Sequence, residues 1–360
     1  MEIIVNQLLQ RYESWWNHRI KGRPLMRVVA QEATPKPLDK SVTPEVWQSD
    51  PRWILKRWGN SNSKMLYYGD AFPSFRCDLG PGSLALYLGG EPEFAWDTVW
   101  FRPIIEDIEN LPSFHFDETN RWWKRHLEII DYINTHGEKG CLIELPDLVE
   151  GLDIYAAMRG TQNALFDLMD YPDTVKESVD KIDASYLPYY DLLRKQVQTP
   201  DGIMAYAAFH IMGMGRIAKI QCDFSAMIST EQYRSFALPC LRKQTERMNH
   251  TVYHLDGPDA IRHVPAIMEL EELDALQWTC GAGKPDGGCP RWYPIYDQVV
   301  KAGKSLWISL HDGAVEDQIQ RGDELLNRYG SMGMYFIFPI MHPKDADQLM
   351  NYAEKRWNSV

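Results

Sequence analysis

Short apolar runs alternate with longer amphipathic stretches along most of this chain, and this alternation limits the possible folds more than any other feature. We predict strands at 24–30, 141–145, 202–207, 216–221, 251–255, 273–278, 305–310 and 334–338. Helical patterns, such as the one over 229–249, lie between them. Strands that alternate with helices of this length are typical of parallel βαβ units.

Two parallel architectures fit this pattern, a closed (β/α)₈ TIM barrel and an open doubly wound sheet. The open sheet usually has a glycine-rich phosphate turn after its first strand. The sequence VVAQEA (28–33) offers none. We therefore predict an α/β fold with a single (β/α)₈ barrel domain over 1–360, which includes an N-terminal helix (1–20) and an irregular insertion over the barrel (31–117).

Composition narrows the class of protein. The net charge of −12 and the lack of a basic stripe argue against a nucleic-acid partner. No apolar run approaches 18 residues, the first residues have no signal-peptide pattern, and six cysteines are scattered. We expect a cytoplasmic protein that acts on a small-molecule substrate and not on a membrane. Aromatic residues make up 12% of the chain, which fits either an aromatic-lined cavity or a large core.

Polar residues cluster at the predicted carboxyl ends of the strands, where the loops of a barrel converge. The residues singled out by this position are Asp147, Gln221, Asp223, His254, Asp256, Trp278, Cys280 and His342, with Arg27 on the first strand. We predict His254, Asp256 and Asp223 as catalytic residues, and Arg27, Asp147, Gln221, Trp278 and Cys280 as substrate-binding residues.

The tetrapeptide HLDG (254–257) is the sharpest local signal. Because side chains alternate along a strand, His254 and Asp256 project to the same side. Such a pair can bind a divalent metal or transfer protons. In the alternative reading, Asp256 caps the following helix and His254 only packs. Cys280, at the next strand end, is either a ligand or a small buried hydrophobic residue.

Several segments resemble one known superfamily. They are DLGPGS (78–83), LIELPDLVEG (142–151), the stretch 220–244, YHLDG (253–257) and LDALQWTCGAG (273–283). The chain resembles the uroporphyrinogen decarboxylase-like superfamily, which includes the methyltransferases of corrinoid-dependent methyl transfer. The resemblance implies a (β/α)₈ barrel.

The departures from that superfamily bear on function. Its decarboxylases have a basic RQAGR-like segment after the first strand, of which only Arg27 is left here. Its zinc-dependent members have a His-x-Cys pair and a later Cys, where this chain has His254, Asp256 and then Met341-His342. These harder ligands suit a Lewis acid acting on oxygen better than activation of a thiol.

The resemblance and the residues together predict a corrinoid-linked methyltransferase that acts on a small methylated substrate. Zinc is the expected metal, held by His254 and Asp256, with His342 or Cys280 as alternatives for a third ligand. The corrinoid is expected on a separate protein. Two alternatives stay open. One is a metal-free decarboxylase in which Asp223 or His254 is the acid, and the other is a non-catalytic binding barrel.

Overall fold

The chain folds into a mixed α/β structure, seen in a computed structural model that describes residues 2–32, 39–62, 64–206 and 208–359. The strands are β1 (Leu25–Gln31), β2 (Met65–Gly69), β3 (Ser74–Phe75), β4 (Glu91–Phe94), β5 (Val99–Arg102), β6 (Leu142–Leu145), β7 (Ile203–Tyr206), β8 (Ile211–Met214), β9 (Ile217–Gln221), β10 (His250–Asp256), β11 (Ala275–Thr279), β12 (Ser305–Ser309) and β13 (Met334–Ile337).

Helices connect most of these strands. They are α1 (Glu2–Trp16), α2 (Pro44–Ser49), α3 (Pro51–Asn62), α4 (Ser83–Tyr87), α5 (Arg121–His136), α6 (Gly151–Arg159), α7 (Thr161–Asp170), α8 (Pro172–Val197), α9 (Thr230–Gln232), α10 (Leu238–Thr245), α11 (Val264–Ile267), α12 (Tyr293–Lys301), α13 (Val315–Tyr329) and α14 (Pro343–Arg356). Within the described ranges, none of the helices combines the length and the apolar character needed to cross a bilayer.

Two sheets form the centre of the fold. The larger has seven strands in the order β2-β1-β13-β12-β11-β10-β9, and every neighbouring pair is parallel except β1 with β2. The smaller has the order β3-β6-β7-β8. Strand β7 lies beside β9, but no backbone ladder joins the two sheets in the part of the chain that the structure describes. The parallel α/β class is thus confirmed, whereas the closed barrel is not.

All eight predicted strands are present, with bounds that differ by one or two residues, and two other segments differ from the prediction. The stretch 31–117 was expected to be irregular, yet its described part contains α2, α3, α4 and β2 to β5. The chain also turns back after β7 to add the antiparallel strand β8. This hairpin was not predicted, because the segment AFHIMGMG (208–215) has no regular alternation of apolar and polar residues.

Helix α1 packs against the amino-terminal end of the large sheet. Its Trp15 indole donates to the carbonyl of Gly333 at 3.1 Å. The ring of Trp16 stacks on His250, the first residue of β10, with ring centroids 5.0 Å apart. His250 also contacts Glu13 of the same helix, with Nε2 3.1 Å from its carboxylate. Ring stacking and an ion pair therefore hold α1 against the amino-terminal end of the sheet. The predicted catalytic residues lie at the opposite, carboxyl-terminal end of the strands.

The turn of the β7–β8 hairpin, Ala208 to His210, is held by side chains from distant elements. Ala208 and His210 have φ of 66° and 50°, a region that residues other than glycine rarely adopt. The carbonyl of Phe209 accepts from the indole of Trp307 at 3.0 Å. The carbonyl of His210 accepts from the hydroxyls of Tyr12 at 3.0 Å and Tyr335 at 2.7 Å. These bonds offset the backbone strain and set the direction of the Phe209 ring.

Candidate functional site

Three ionisable side chains meet where β9 and β10 end. The parallel register places His254 beside Gln221, so Asp223, which follows β9, lies near His254 and Asp256. One possible ligand atom from each of Asp223, His254 and Asp256 lies within 4.8 Å of the others. The two carboxylates are exposed at the surface and the imidazole is half-buried. The predicted pair therefore does face one site, and Asp223 joins it.

Gln277 of β11 orients the imidazole of His254. Its side-chain nitrogen donates to Thr279 Oγ1 at 2.8 Å, which leaves the side-chain oxygen toward His254 Nδ1, and these two atoms are hydrogen-bonded. Because an amide oxygen can only accept, Nδ1 has the proton and Nε2 has the free lone pair. Burial, reinforced by the charge of Lys219, lowers the pKa of His254. The ring is therefore neutral near pH 7, the form that binds metals.

Asp223 is fixed by its neighbours. The carboxylate of Asp153, in α6, accepts from the backbone N–H groups of Asp223 at 2.8 Å and of Phe224 at 2.9 Å. The Gln221 amide donates to Asp223 Oδ2 at 2.8 Å. Although Asp223 keeps an exposed edge, protein atoms surround most of its carboxyl group, and this loss of hydration, together with the charges of Asp153 and Asp256, raises the pKa of Asp223 to about 7. This carboxyl therefore exchanges a proton near neutral pH.

Lys219 is a buried cation beneath the three-residue cluster. It projects from β9 on the same side as Gln221, donates to the Gln221 side-chain oxygen and lies 2.8 Å from Asp147 Oδ1. Its Nζ is also 5.9 Å from the centre of the Phe209 ring, and that ring packs edge-on against His254. Sequence reasoning missed this residue. A lysine inside the apolar strand IAKIQ, two positions before a predicted site residue, was the available signal.

Asp147 and Gln221 both contact Lys219 in the candidate site. Arg27 lies instead near a second set of polar residues, which includes Glu144 and His210. Arg27 lies in β1, and its side chain makes no hydrogen bond or ion pair with any residue that the structure describes. Nearby, Ser74 donates to the Glu144 carboxyl at 2.7 Å, and burial raises the pKa of Glu144 to about 7. Burial lowers the pKa of His210 to about 3, and the charges of Arg27 and Arg76 add to this effect. The predicted role of Arg27 in substrate binding stays a prediction.

Trp278 and Cys280 do not line the site. Since Gln277 and Thr279 face His254, the intervening Trp278 points to the other side of the sheet, where its ring packs on Trp292 at 5.0 Å. Cys280 is buried, and that burial, with the charge of Asp286, raises its pKa to about 12. A thiol in this state is protonated at neutral pH and is a poor ligand. The structure therefore places both side chains away from the three-residue cluster, and their role in substrate binding stays a prediction.

His342, predicted as an alternative third ligand, caps a helix in the structure. It is the N-cap residue of α14, and its Nδ1 accepts from the backbone N–H of Lys344 at 3.2 Å. It lies outside the group of potential ligands found among the described residues. Among the described residues, the third possible ligand atom near His254 and Asp256 belongs to Asp223.

Comparison with known proteins adds information on the fold. Neither a protein-family model nor a curated protein matches the chain. The solved structure of a methyltransferase from Methanosarcina mazei is similar, with a TM-score of 0.63 and 14% sequence identity. The match covers 97% of this chain and 98% of that chain. The likeness is thus one of fold, and it extends over nearly the whole of both proteins.

Proposed function

We propose that this protein is a metal-assisted methyltransferase in which the two sheets together form a (β/α)₈ barrel with the site at the carboxyl ends of its strands. The observation on which the proposal rests is the convergence of Asp223, His254 and Asp256 within 4.8 Å. The whole-chain likeness to a methyltransferase supports it at the level of fold. A corrinoid on a separate protein is the methyl acceptor in this proposal, as the resemblance of the sequence implies.

The donor set fits a divalent metal such as zinc. An imidazole and two carboxylates are ligands that zinc accepts, and three protein ligands leave a position for substrate. His254 meets the further requirement that its second nitrogen be held by a hydrogen-bond acceptor, here Gln277. His254 Nε2, Asp256 and the ionised Asp223 would hold the metal. When bound, it would act as a Lewis acid that stabilises negative charge on the heteroatom bonded to the methyl group.

The residues of the chain then have distinct tasks in the transfer. The acceptor supplies the electron pair of the new bond to the methyl carbon, and the heteroatom keeps the pair of the broken bond and later takes a proton from water. Asp153 and Gln221 hold Asp223 in place through the bonds described above. The Lys219–Asp147 pair fixes Gln221 from below. Phe209 packs on His254 and shields its inner side from water.

A metal-free decarboxylase is the second candidate, and one observation favours it. With a pKa of about 7, Asp223 is partly protonated at neutral pH and can give a proton to a carbanion after CO₂ leaves. In this reading the cluster needs no metal. The two functions therefore differ in metal content and in the product formed.

The test compares metal content and methyl transfer in three forms of the protein. After zinc loading and dialysis, we expect about one equivalent of zinc in the wild type and in His342→Ala, but none in His254→Ala. His342→Ala is the matched control, since that histidine caps a helix outside the cluster. Transfer from methylated oxygen and nitrogen compounds to cob(I)alamin would be followed by its visible spectrum. Absence of zinc from the wild type, with CO₂ release, would replace this proposal by the second candidate.

A further inference from the structure

A cavity of about 570 Å³ lies in the N-terminal part of the chain, apart from the three-residue cluster. Its walls include the aromatic residues Trp47, Trp58 and Trp96 and the arginines Arg57 and Arg76. A volume of this size holds a small organic ligand. The elements that form it, α2, α3 and the β4–β5 hairpin, belong to the stretch expected to be irregular.

Arg57, on α3, is the unusual charge in this cavity. Its guanidinium donates to the Trp47 carbonyl at 3.3 Å and to the Gln48 side-chain oxygen at 2.9 Å, and it lies 5.3 Å from the centre of the Trp47 ring. It forms no ion pair with any residue in the described ranges. Burial lowers the pKa of Arg57, and the charge of Asp78 opposes this effect only in part. A half-buried cation with only neutral partners gains stability from an anionic ligand.

The other charged groups of the cavity do not form an ion pair with Arg57. Arg76 pairs with Asp78 at 2.6 Å, Asp39 pairs with Lys56 at 3.2 Å, and Asp97 is exposed at the rim. Arg57 is therefore the charge to which a ligand would respond. Three indole rings, those of Trp47, Trp58 and Trp96, form the aromatic part of the walls, and their flat faces favour a planar, apolar group.

We propose that this cavity binds an aromatic carboxylate, with the carboxylate on Arg57 and the ring against the tryptophan walls. A guanidinium can bind both oxygens of a carboxylate through paired hydrogen bonds. The rings of Trp47 and Trp96 lie 6.1 Å apart and approach each other edge to face. This aromatic wall adjoins the guanidinium that stacks on Trp47.

Arg76 places one wall of the cavity at the same end of the smaller sheet as Asp147. This residue follows β3, and Asp147 follows the parallel neighbour β6, so both lie at the same end of their sheet. The charge of Asp78 above all, with smaller effects of Glu144 and Asp147, raises the pKa of Arg76, as expected for neighbours. We infer that the aromatic acid is the methylated substrate, or the part of it that does not react. This last step rests on the proposed function, whereas the binding itself does not.

Calorimetric titration with benzoate, benzamide and acetate tests the binding. We expect wild-type protein to bind benzoate about tenfold tighter than benzamide, the neutral analogue, since a charge-assisted pair is lost with the latter. It should also bind benzoate more tightly than acetate, which has no ring. Arg57→Gln should abolish the preference for benzoate over benzamide, and Arg57→Lys should keep part of it. Arg234→Gln is the matched control, an exposed arginine that pairs with Glu269 outside this cavity.

The outcomes separate this inference from the proposed function. His254→Ala should bind benzoate as the wild type does while losing zinc. Equal affinity for benzoate and benzamide, an unchanged preference in Arg57→Gln, or loss of benzoate binding in His254→Ala would each overturn the inference. If zinc binding and methyl transfer fail but the dependence on Arg57 holds, the binding site stands and the proposed function does not.

Discussion

The side-chain oxygen of Gln277 accepts the Nδ1 proton of His254, and this single contact decides which imidazole nitrogen faces the candidate site. Gln277 lies directly beside His254 in the parallel register of β10 and β11. In this orientation its amide nitrogen donates to Thr279 Oγ1 at 2.8 Å, and its oxygen is left to His254. The sheet therefore sets both the position of the histidine and its tautomer.

Removal of this contact should weaken metal binding. Gln277→Leu leaves Nδ1 without an acceptor, so the ring can adopt other orientations and its second tautomer. We expect zinc affinity to fall about 10- to 100-fold, as for other outer partners of metal-bound histidines. A competition titration with a zinc chelator measures it. Gln277→Glu keeps an acceptor and serves as the control. Equal zinc affinity in wild type and Gln277→Leu would show that His254 is not a ligand.

Zinc affinity should depend on pH through Asp223. This carboxyl has a pKa of about 7 in the absence of metal and must lose its proton to act as a ligand. Affinity should therefore be nearly full at pH 8.5 and fall about tenfold for each pH unit well below 7. Asp223→Asn should bind zinc more weakly at pH 8.5 and lose this part of the pH dependence. The same slope in both proteins between pH 5.5 and 7 would remove Asp223 from the ligand set.

Lys219→Met should destabilise the protein, since it leaves the Asp147 carboxylate buried without its counter-ion. Loss of one partner of a buried ion pair costs about 3–5 kcal/mol of unfolding free energy. Urea denaturation followed by circular dichroism gives the value. The double variant Lys219→Met, Asp147→Asn should recover part of the loss because the uncompensated charge is gone. If the double variant is as unstable as the single one, packing and not charge explains the effect.

The contact of His250 with α1 should stabilise the fold in a pH-dependent way. Although burial alone lowers its pKa, the carboxylates of Asp274, 3.7 Å from Nδ1, and of Glu13, 3.1 Å from Nε2, outweigh burial and raise the pKa of His250 to about 9. The protonated form is thus favoured by folding, and its stabilisation is complete below the unfolded value of about 6.5 and lost as pH rises through about 9. His250→Gln should therefore be less stable than wild type by about 2 kcal/mol at pH 6. The difference should shrink by pH 10. Denaturant titrations at both pH values check this, and a constant difference would argue against it.

The sequence was sufficient for the parts of the site that follow from strand alternation. His254 and Asp256 two positions apart, at the end of an apolar run, indicated one shared side, and the structure places them together with Asp223. The same rule failed at β11, because the strand end alone did not reveal whether Gln277 or Trp278 faces inward. The ring of Trp278 packs on Trp292, a contact between distant segments that no local pattern contains.

Two other features depended on tertiary context. Burial of the Lys219 charge alone would cost folding free energy. The carboxylate of Asp147, 72 residues earlier in the chain, pairs with this charge and offsets the cost. The hairpin turn at Ala208 and His210 has backbone angles that these residues rarely adopt by themselves. In both cases the compensating partners are distant in sequence, so sequence-local reasoning could not find them.

The hairpin turn also sets an order of events during folding. Its carbonyl groups are bonded to Tyr12 near the start of the chain and to Trp307 and Tyr335 near its end. Until these three side chains are in place, nothing offsets the strained backbone, and Phe209 has no fixed direction from which to support His254. A nascent chain that has emerged only as far as β10 therefore has the ligands of the site but not their geometry. If the site binds metal as proposed, metal capture should follow synthesis of the last strand, so that an incomplete chain does not fold around an ion.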